Sequence, residues 1–157
     1  MKKVSLILLA CVLLLSGCGE PIPTEAQQEA AILALSDELI RCLSEEDRDG
    51  FDALFYEEIR SLPEFECQAD ALFEFFETAN YTPSQYLRYD WSAQAFSASI
   101  VYIQDPVSLP DGTPWHWFYE LQIRGIPAAD SVGLPEIHSL TVIRSNDGRQ
   151  FQVGTHP

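Results

Sequence analysis

Residues 24–43, TEAQQEAAILALSDELIRCL, carry the clearest helical pattern in the chain. Apolar side chains recur at three- and four-residue intervals, as at Ile32, Leu35 and Leu39, and that spacing places them on one face of an α-helix. Thr24 stands just before the pattern and is a residue type that caps helix N-termini well. The stretch therefore predicts one long amphipathic helix with a single buried side.

Two more helices are predicted directly after the first. The stretch from about 49 to 62 places Phe51 and Leu54 on one side. Pro63 ends this helix, because proline lacks the backbone N–H that would continue it. The stretch from about 64 to 78 again repeats apolar side chains at helical spacing. The first half of the chain is therefore expected to be helical.

The pattern of residue types changes after residue 80. Short runs rich in β-branched and aromatic residues alternate with turn-forming Pro, Gly, Asn and Asp, which predicts strands. The predicted strands are 85–91, 97–104, 115–124, 137–144 and 150–154. The last two flank Asn-Asp-Gly, a typical hairpin turn. Helices followed by strands predict an α+β fold, with three N-terminal helices packed on an antiparallel sheet of four to five strands.

The N-terminus carries a targeting signal. Two lysines precede the apolar run 4–15, which has the length of a secretory signal core and is too short to span a bilayer. The run ends in Leu-Ser-Gly-Cys at 15–18, which resembles the lipobox of bacterial lipoproteins. The resemblance implies a signal peptide over 1–17, removed by cleavage, and fatty acids such as palmitate attached through Cys18.

Lipidation at Cys18 would fix where the protein resides. By this resemblance the mature chain has a lipidated tether over 18–23 and one folded domain over 24–157. The tether would hold the domain on the extracytoplasmic side of the cell membrane, or on the outer membrane in a cell that has two. Several acyl chains anchor durably where one is marginal. We therefore expect a membrane-anchored protein of the bacterial cell envelope.

The charge of the chain excludes one class of partner. Nine Lys and Arg stand against 24 Asp and Glu, and the net charge is −15. Nucleic-acid binding needs basic side chains that neutralise phosphates, so we expect no nucleic-acid partner. Most of the acids lie in the helical half, where they suit a basic protein partner. The alternative is that they form the solvated sides of the helices.

Two cysteines remain once Cys11 leaves with the signal peptide and Cys18 carries lipid. Cys42 and Cys67 are candidates for a disulfide, because exported proteins meet an oxidising environment. The alternative is a pair of reduced cysteines that behave as small apolar side chains. No Cys/His spacing typical of a zinc site is present. The sequence predicts neither a metal nor a cofactor.

The stretch WHWFYE at 115–120 is the strongest indication of a ligand site. Side chains alternate along a strand, so His116, Phe118 and Glu120 are expected on one face. A face that mixes an aromatic ring with polar groups suits a small-molecule pocket. Asp90, from a neighbouring strand, could complete an acid–base couple with His116. The alternative is a solvated outer sheet face with the tryptophans buried opposite.

Three further stretches resemble a family of small bacterial lipoproteins built on a domain of unknown function. They are DGFDALF at 49–55, ALFEFF at 71–76 and VGLPEI at 132–137. The first of them also resembles the opening of the nuclear-transport-factor-two-like, or cystatin-like, cone folds. The resemblance implies a curved, cone-like sheet and a location at the envelope. None of the stretches is catalytic, so the resemblance implies no activity.

The sequence therefore favours a non-enzymatic binding or interaction module that lipid anchors to the envelope. A small hydrolase or isomerase using His116 with a carboxylate is one alternative, and a purely structural envelope protein is another. No nucleophile elbow, phosphate loop or dinucleotide fingerprint is present in the sequence.

Overall fold

Four helices precede the strands in the part of the chain that the structure, a computed structural model, describes. The described residues are 23–76, 81–104, 107–108, 110–112, 114–115, 118–128, 133–145 and 147–154. The helices are α1 (Glu25–Ser44), α2 (Arg48–Ala53), α3 (Glu57–Arg60) and α4 (Phe65–Phe75). Helices followed by strands confirm the predicted α+β class.

The long first helix forms as its sequence pattern predicts. The Thr24 side chain accepts a hydrogen bond from the Gln27 backbone N–H, and the Gln27 side chain accepts one from the Thr24 N–H. This reciprocal capping box satisfies two backbone donors that the helix itself leaves unpaired. Ile32, Leu35 and Leu39 lie on the buried face and are each 0% exposed. The N-cap and the apolar spacing together account for α1.

The second predicted helix, over 49–62, is two short helices in the structure. Between α2 and α3, Phe55 forms an isolated parallel bridge with Ile137. The Tyr56 N–H donates to the Ile137 carbonyl at 3.0 Å, and the Ile137 N–H donates to the Leu54 carbonyl at 2.9 Å. These bonds to a strand replace helical hydrogen bonds. The described helices therefore number four rather than the three predicted.

The turn before α2 explains the glycine of the DGFDALF stretch. The Asp47 carboxylate caps α2 by accepting a hydrogen bond from the Gly50 N–H at 2.9 Å. A Cβ atom on Gly50 would lie 2.3 Å from Oδ2 of Asp47, which is far inside van der Waals contact. A side chain at position 50 would therefore displace the Asp47 carboxylate from its capping position.

Five strands form one open antiparallel sheet. They are β1 (Tyr81–Trp91), β2 (Phe96–Gln104), β5 (Phe118–Ile126), β6 (Glu136–Arg144) and β7 (Gln150–Gly154), in the order β1-β2-β5-β6-β7. Between β2 and β5 the short strands β3 (Val107–Ser108) and β4 (Pro114–Trp115) pair separately. Within the described residues, the predicted strand over 115–124 corresponds to β5 from Phe118 onward, and Trp115 pairs with Val107.

One face of the sheet packs against the helices. Tyr119, Leu121 and Ile123 alternate along β5 and are each 0% exposed, whereas the residues between them are exposed or half-buried. Phe75 of α4 meets Tyr119 edge-on, with ring centroids 6.0 Å apart. The alternation predicted for this strand is confirmed over 118–124. The opposite face of the sheet carries the polar side chains.

Two hydrogen bonds show that α1 runs along the sheet. Near the start of the helix, the Tyr89 hydroxyl donates to the Glu25 carbonyl at 3.4 Å. Further along it, the Tyr102 hydroxyl donates to the Asp37 carboxylate at 2.7 Å. Tyr89 pairs with Ala98 in the β1–β2 register, so α1 begins at the level of these two residues. We call the end of the sheet that contains Tyr89 and Ala98 the tether end.

Candidate functional site

Two rows of polar side chains cross the sheet face opposite the helices. The strand register places the members of each row side by side on β1, β2, β5 and β6. The first row is Arg88, Ser99, Gln122 and Thr141. The second row, nearer the tether end, is Asp90, Ser97, Arg124 and Ser139. Eight polar side chains from four strands thus meet in one region.

Side-chain size alternates from strand to strand within these rows and forms a groove. Long side chains stand on β1 and β5, whereas β2 between them presents only serines. We call this groove the serine trough, with a floor of Ser97 and Ser99 and walls of Arg88, Asp90, Gln122 and Arg124. The cleft that contains it, including Ser139 and Thr141, measures about 360 Å³. That volume is within the range of small-molecule sites.

The walls of the serine trough contain two arginines, although the protein is acidic. Its walls carry Arg88 and Arg124 against one carboxylate, that of Asp90, and all three residues are exposed. The Arg88 guanidinium lies 5.2 Å from the centroid of the Tyr86 ring, a cation–π contact. The whole chain has a net charge of −15. The two arginines therefore make the trough suited to an anionic group that the rest of the surface would repel.

Glu120 lies beside the serine trough and orients two of its residues. Its Oε1 accepts hydrogen bonds from the Ser99 hydroxyl at 2.8 Å and from Nε2 of Gln122 at 3.0 Å. The Ser99 hydroxyl donates this hydrogen bond, so its oxygen can still accept one from a ligand. The Gln122 amide is likewise fixed in direction. Glu120 is therefore a positioning residue for the floor and one wall of the trough.

Three of the four predicted site residues lie in the described ranges. Asp90 stands in the wall of the serine trough and Glu120 borders it. Phe118 is on the same face but further from the tether end, beside Ile103 in the register, and is 44% exposed. His116 lies outside the described residues. The acid–base couple of His116 with a carboxylate therefore stays a prediction.

The sequence analysis missed Arg88, Ser99 and Arg124 as members of one site. Alternation along β5 already placed Arg124 on the same face as Glu120. What it did not give is the pairing of β5 with β2 and of β2 with β1, because register depends on contacts between distant parts of the chain. The signal that could have helped is the repeated serine spacing in Phe-Ser-Ala-Ser at the start of β2.

Two arginines of the helical layer are paired with carboxylates. Arg41 contacts three carboxylates at 2.7–2.8 Å, and Arg48 contacts two. The carboxylates are Glu38, Glu45 and Asp47 for Arg41, and Asp52 and Asp70 for Arg48. The hydrogen bond from Arg41 lowers the pKa of the Asp47 carboxyl. These two arginines therefore stabilise the helical layer and are not available to a ligand.

Cys42 and Cys67 are free cysteines, and the expected disulfide is not formed in the structure. Cys42 is buried on α1, and that burial raises the pKa of its thiol to about 11. Cys67 is exposed because it lies on α4 between Phe65 and Ala69, both of which face the core. The two thiols thus occupy different environments.

His138 and the acidic residues of the described chain form no metal centre. The His138 ring lies 5.0 Å from the Tyr56 ring, and its Nε2 atom is buried without a hydrogen-bond partner. In the described ranges, no three or more His, Cys, Asp or Glu residues are arranged to hold a metal ion. No helix in those ranges is long and apolar enough to cross a membrane.

The fold and the site define a small α+β domain with a polar cleft on the open face of its sheet. Residues 3–68 match a family described as "Family of unknown function (DUF6694)". The matched stretch includes the apolar N-terminal run, Cys18 and helices α1 to α3. Comparison with curated proteins and with solved structures gave no match.

Proposed function

We propose that this chain is a lipid-anchored, non-enzymatic binding module of the bacterial cell envelope and that the serine trough is its ligand site. One observation carries the proposal: eight polar side chains from four strands converge on a cleft of about 360 Å³. Two of them are arginines, in a chain where acids greatly outnumber bases. A cone-like curvature of the sheet, as in the folds that the sequence resembles, would deepen this cleft.

The lipid anchor is supported by the N-terminal sequence. A short apolar run ends in Leu-Ser-Gly-Cys at 15–18, as in bacterial lipoproteins. The family match begins at residue 3, so the similarity includes this leader as well as the helices. An anchor at Cys18 would place the domain on the extracytoplasmic side of a membrane.

A binding role fits the serine trough better than catalysis. A serine nucleophile needs a base within hydrogen-bond reach. The Ser99 hydroxyl donates a hydrogen bond to the Glu120 carboxylate at 2.8 Å, but carboxylates are much weaker bases than the imidazole or amine groups that usually activate serine. The described lining of the cleft contains no histidine or lysine. The trough offers hydrogen-bond donors and acceptors in fixed positions, as a binding site requires.

Metabolic labelling with a clickable palmitate, followed by membrane fractionation, tests the anchor. The variant Cys18→Ala should lose the label and leave the membrane fraction, because it lacks the acylated thiol. Cys67→Ala is the matched control, since it removes an exposed thiol from the folded domain and should stay labelled and membrane-bound. A Cys18→Ala protein that still carries label and sediments with membranes contradicts the proposal.

Thermal unfolding of the full lipidated chain in detergent tests the binding role. A ligand that binds only the folded state raises the melting temperature, so the low-molecular-weight fraction of an envelope extract should stabilise the wild-type protein. Ser99→Trp fills the trough and should abolish the shift. Thr82→Trp, on the exposed far part of β1, should retain it. No shift with the wild-type protein would refute the binding role.

A further inference from the structure

We infer that the serine trough takes a small zwitterionic ligand, a molecule with one carboxylate and one amine, such as an amino acid or a dipeptide. The ligand carboxylate lies between Arg88 and Arg124, and the ligand amine faces Asp90. This inference rests on the proposed function, because it names the ligand class of the same trough.

Arg88 differs from the arginines of α1 and α2 in its partners. In the helical layer, Arg41 and Arg48 are held by several carboxylates. Arg88 forms no ion pair with any carboxylate of the described residues, although the chain holds 24 acids and only nine bases. Its guanidinium stacks on Tyr86 at 5.2 Å. The in-plane N–H donors of a guanidinium that lies over a ring stay available to a ligand, and a carboxylate can accept two parallel hydrogen bonds from them.

Arg124 faces Arg88 across the serine trough. Their strands β5 and β1 flank β2, and neighbouring strands lie about 4.8 Å apart, so the two walls are about 10 Å apart at the backbone. Both side chains are long enough to lean over the floor between them. A ligand carboxylate between the two guanidinium groups can accept hydrogen bonds from both, and it displaces no ion pair of Arg88.

The trough also contains acceptor groups that suit a cationic group of the ligand. Asp90 follows Arg88 by two residues on the same face of β1, a separation of roughly 7 Å. The Ser99 hydroxyl donates a hydrogen bond to Glu120, so a lone pair of its oxygen can accept a hydrogen bond in the trough. A ligand amine can donate to both. Asp90 and the neighbouring Glu120 carboxylate balance the charges of the two arginines, so the site has no net charge and suits a zwitterion better than a phosphate anion.

Isothermal titration of the full lipidated protein in detergent tests the ligand class with four probes. The probes are alanyl-alanine, alanyl-alanine amide, N-acetyl-alanyl-alanine and inorganic phosphate. Alanyl-alanine should bind most tightly. Loss of its carboxylate or of its amine should each raise Kd about tenfold, as expected when one charge-assisted hydrogen-bonding group is removed. Phosphate should bind more weakly than alanyl-alanine.

Matched variants assign the contacts. Arg88→Gln should raise the Kd for alanyl-alanine about tenfold, whereas Arg60→Gln, the same change at an exposed arginine of α3, should leave it unchanged. Asp90→Asn should weaken alanyl-alanine and leave N-acetyl-alanyl-alanine unaffected, because only the former has a free amine. Equal losses in Arg88→Gln and Arg60→Gln would overturn the inference, as would equal binding of all four probes.

The two proposals fail in different ways. If the envelope fraction stabilises the wild-type protein but none of the probes binds, the ligand class is wrong and the binding role stands. If neither the fraction nor any probe binds, both are wrong. Binding of phosphate in preference to alanyl-alanine would show a simple anion site and overturn the zwitterion.

Discussion

Replacing Tyr102 by Phe removes one oxygen from the contact that joins α1 to the sheet. The Tyr102 ring is 1% exposed, and its hydroxyl donates to the Asp37 carboxylate at 2.7 Å. A hydrogen bond to a charged acceptor contributes about 1.5–3 kcal/mol. Asp37 is exposed, so its carboxylate regains water when the hydroxyl is lost, and the low end of that range applies. We therefore expect a loss of about 1.5 kcal/mol in the free energy of unfolding.

Urea unfolding and thermal melting measure this loss. A change of about 1.5 kcal/mol corresponds to a melting temperature lower by about 5 °C for a domain of this size. Tyr89→Phe is the matched control, because it removes the same atom from an exposed and longer bond of 3.4 Å to the Glu25 carbonyl. Its effect should stay within about 0.5 kcal/mol. Equal effects of the two substitutions would show that the buried bond to Asp37 is not the stabilising one.

The same hydroxyl makes stability depend on alkaline pH. Burial, and next the hydrogen bond to Asp37, raise the pKa of Tyr102 above the ordinary tyrosine value. Above about pH 10 the unfolded chain releases this proton while the folded chain keeps it, so the free energy of unfolding falls by up to about 1.4 kcal/mol per pH unit. Tyr102→Phe should lack this part of the decline. Parallel curves for the two proteins between pH 9 and 11 would refute it.

Two further predictions concern the backbone and the thiols. Gly154 has φ +81, and a Cβ there would lie 2.3 Å from the His138 carbonyl oxygen, so Gly154→Ala should lower the free energy of unfolding by more than about 2 kcal/mol. Gly112 has φ +80 and open space around it, so Gly112→Ala should lower the free energy of unfolding by only about 1 kcal/mol. Equal losses in the two variants would show that the clash with the His138 carbonyl is not the cause. Under native conditions at neutral pH, a maleimide should label exposed Cys67 quickly and buried Cys42 only after unfolding. A Cys42–Cys67 disulfide peptide in non-reducing mass spectrometry would contradict the prediction that both thiols are free.

Features set by neighbouring residues in the chain could be predicted from the sequence. The capping box at Thr24 and the spacing of apolar residues behind it lie within α1, and the hairpin between β6 and β7 follows from the turn residues between them. Alternation along β5 also needed only its own residues. These elements follow from local stereochemistry and from which side chains avoid water.

Features set by distant contacts could not be predicted. The break between α2 and α3 exists because Leu54 and Tyr56 bond to Ile137, which lies far along the chain. The serine trough likewise depends on register across four strands. A count of cysteines pairs Cys42 with Cys67 but does not show where each thiol points. Cys67 lies on the solvent side of α4, which the apolar residues around it already indicated.

The start of α1 at the tether end has a consequence for how a ligand would reach an anchored chain. Six residues lie between Cys18, the proposed site of acylation, and α1, a reach of about 20 Å at full extension. An anchored domain would present the serine trough within a thin layer above the bilayer, because Tyr89, which contacts the first turn of α1, lies on β1 between two residues of the trough wall, Arg88 and Asp90. Molecules released at the bilayer surface, or sliding along it, would meet the trough by a two-dimensional search rather than by diffusion through the full depth of the surrounding space.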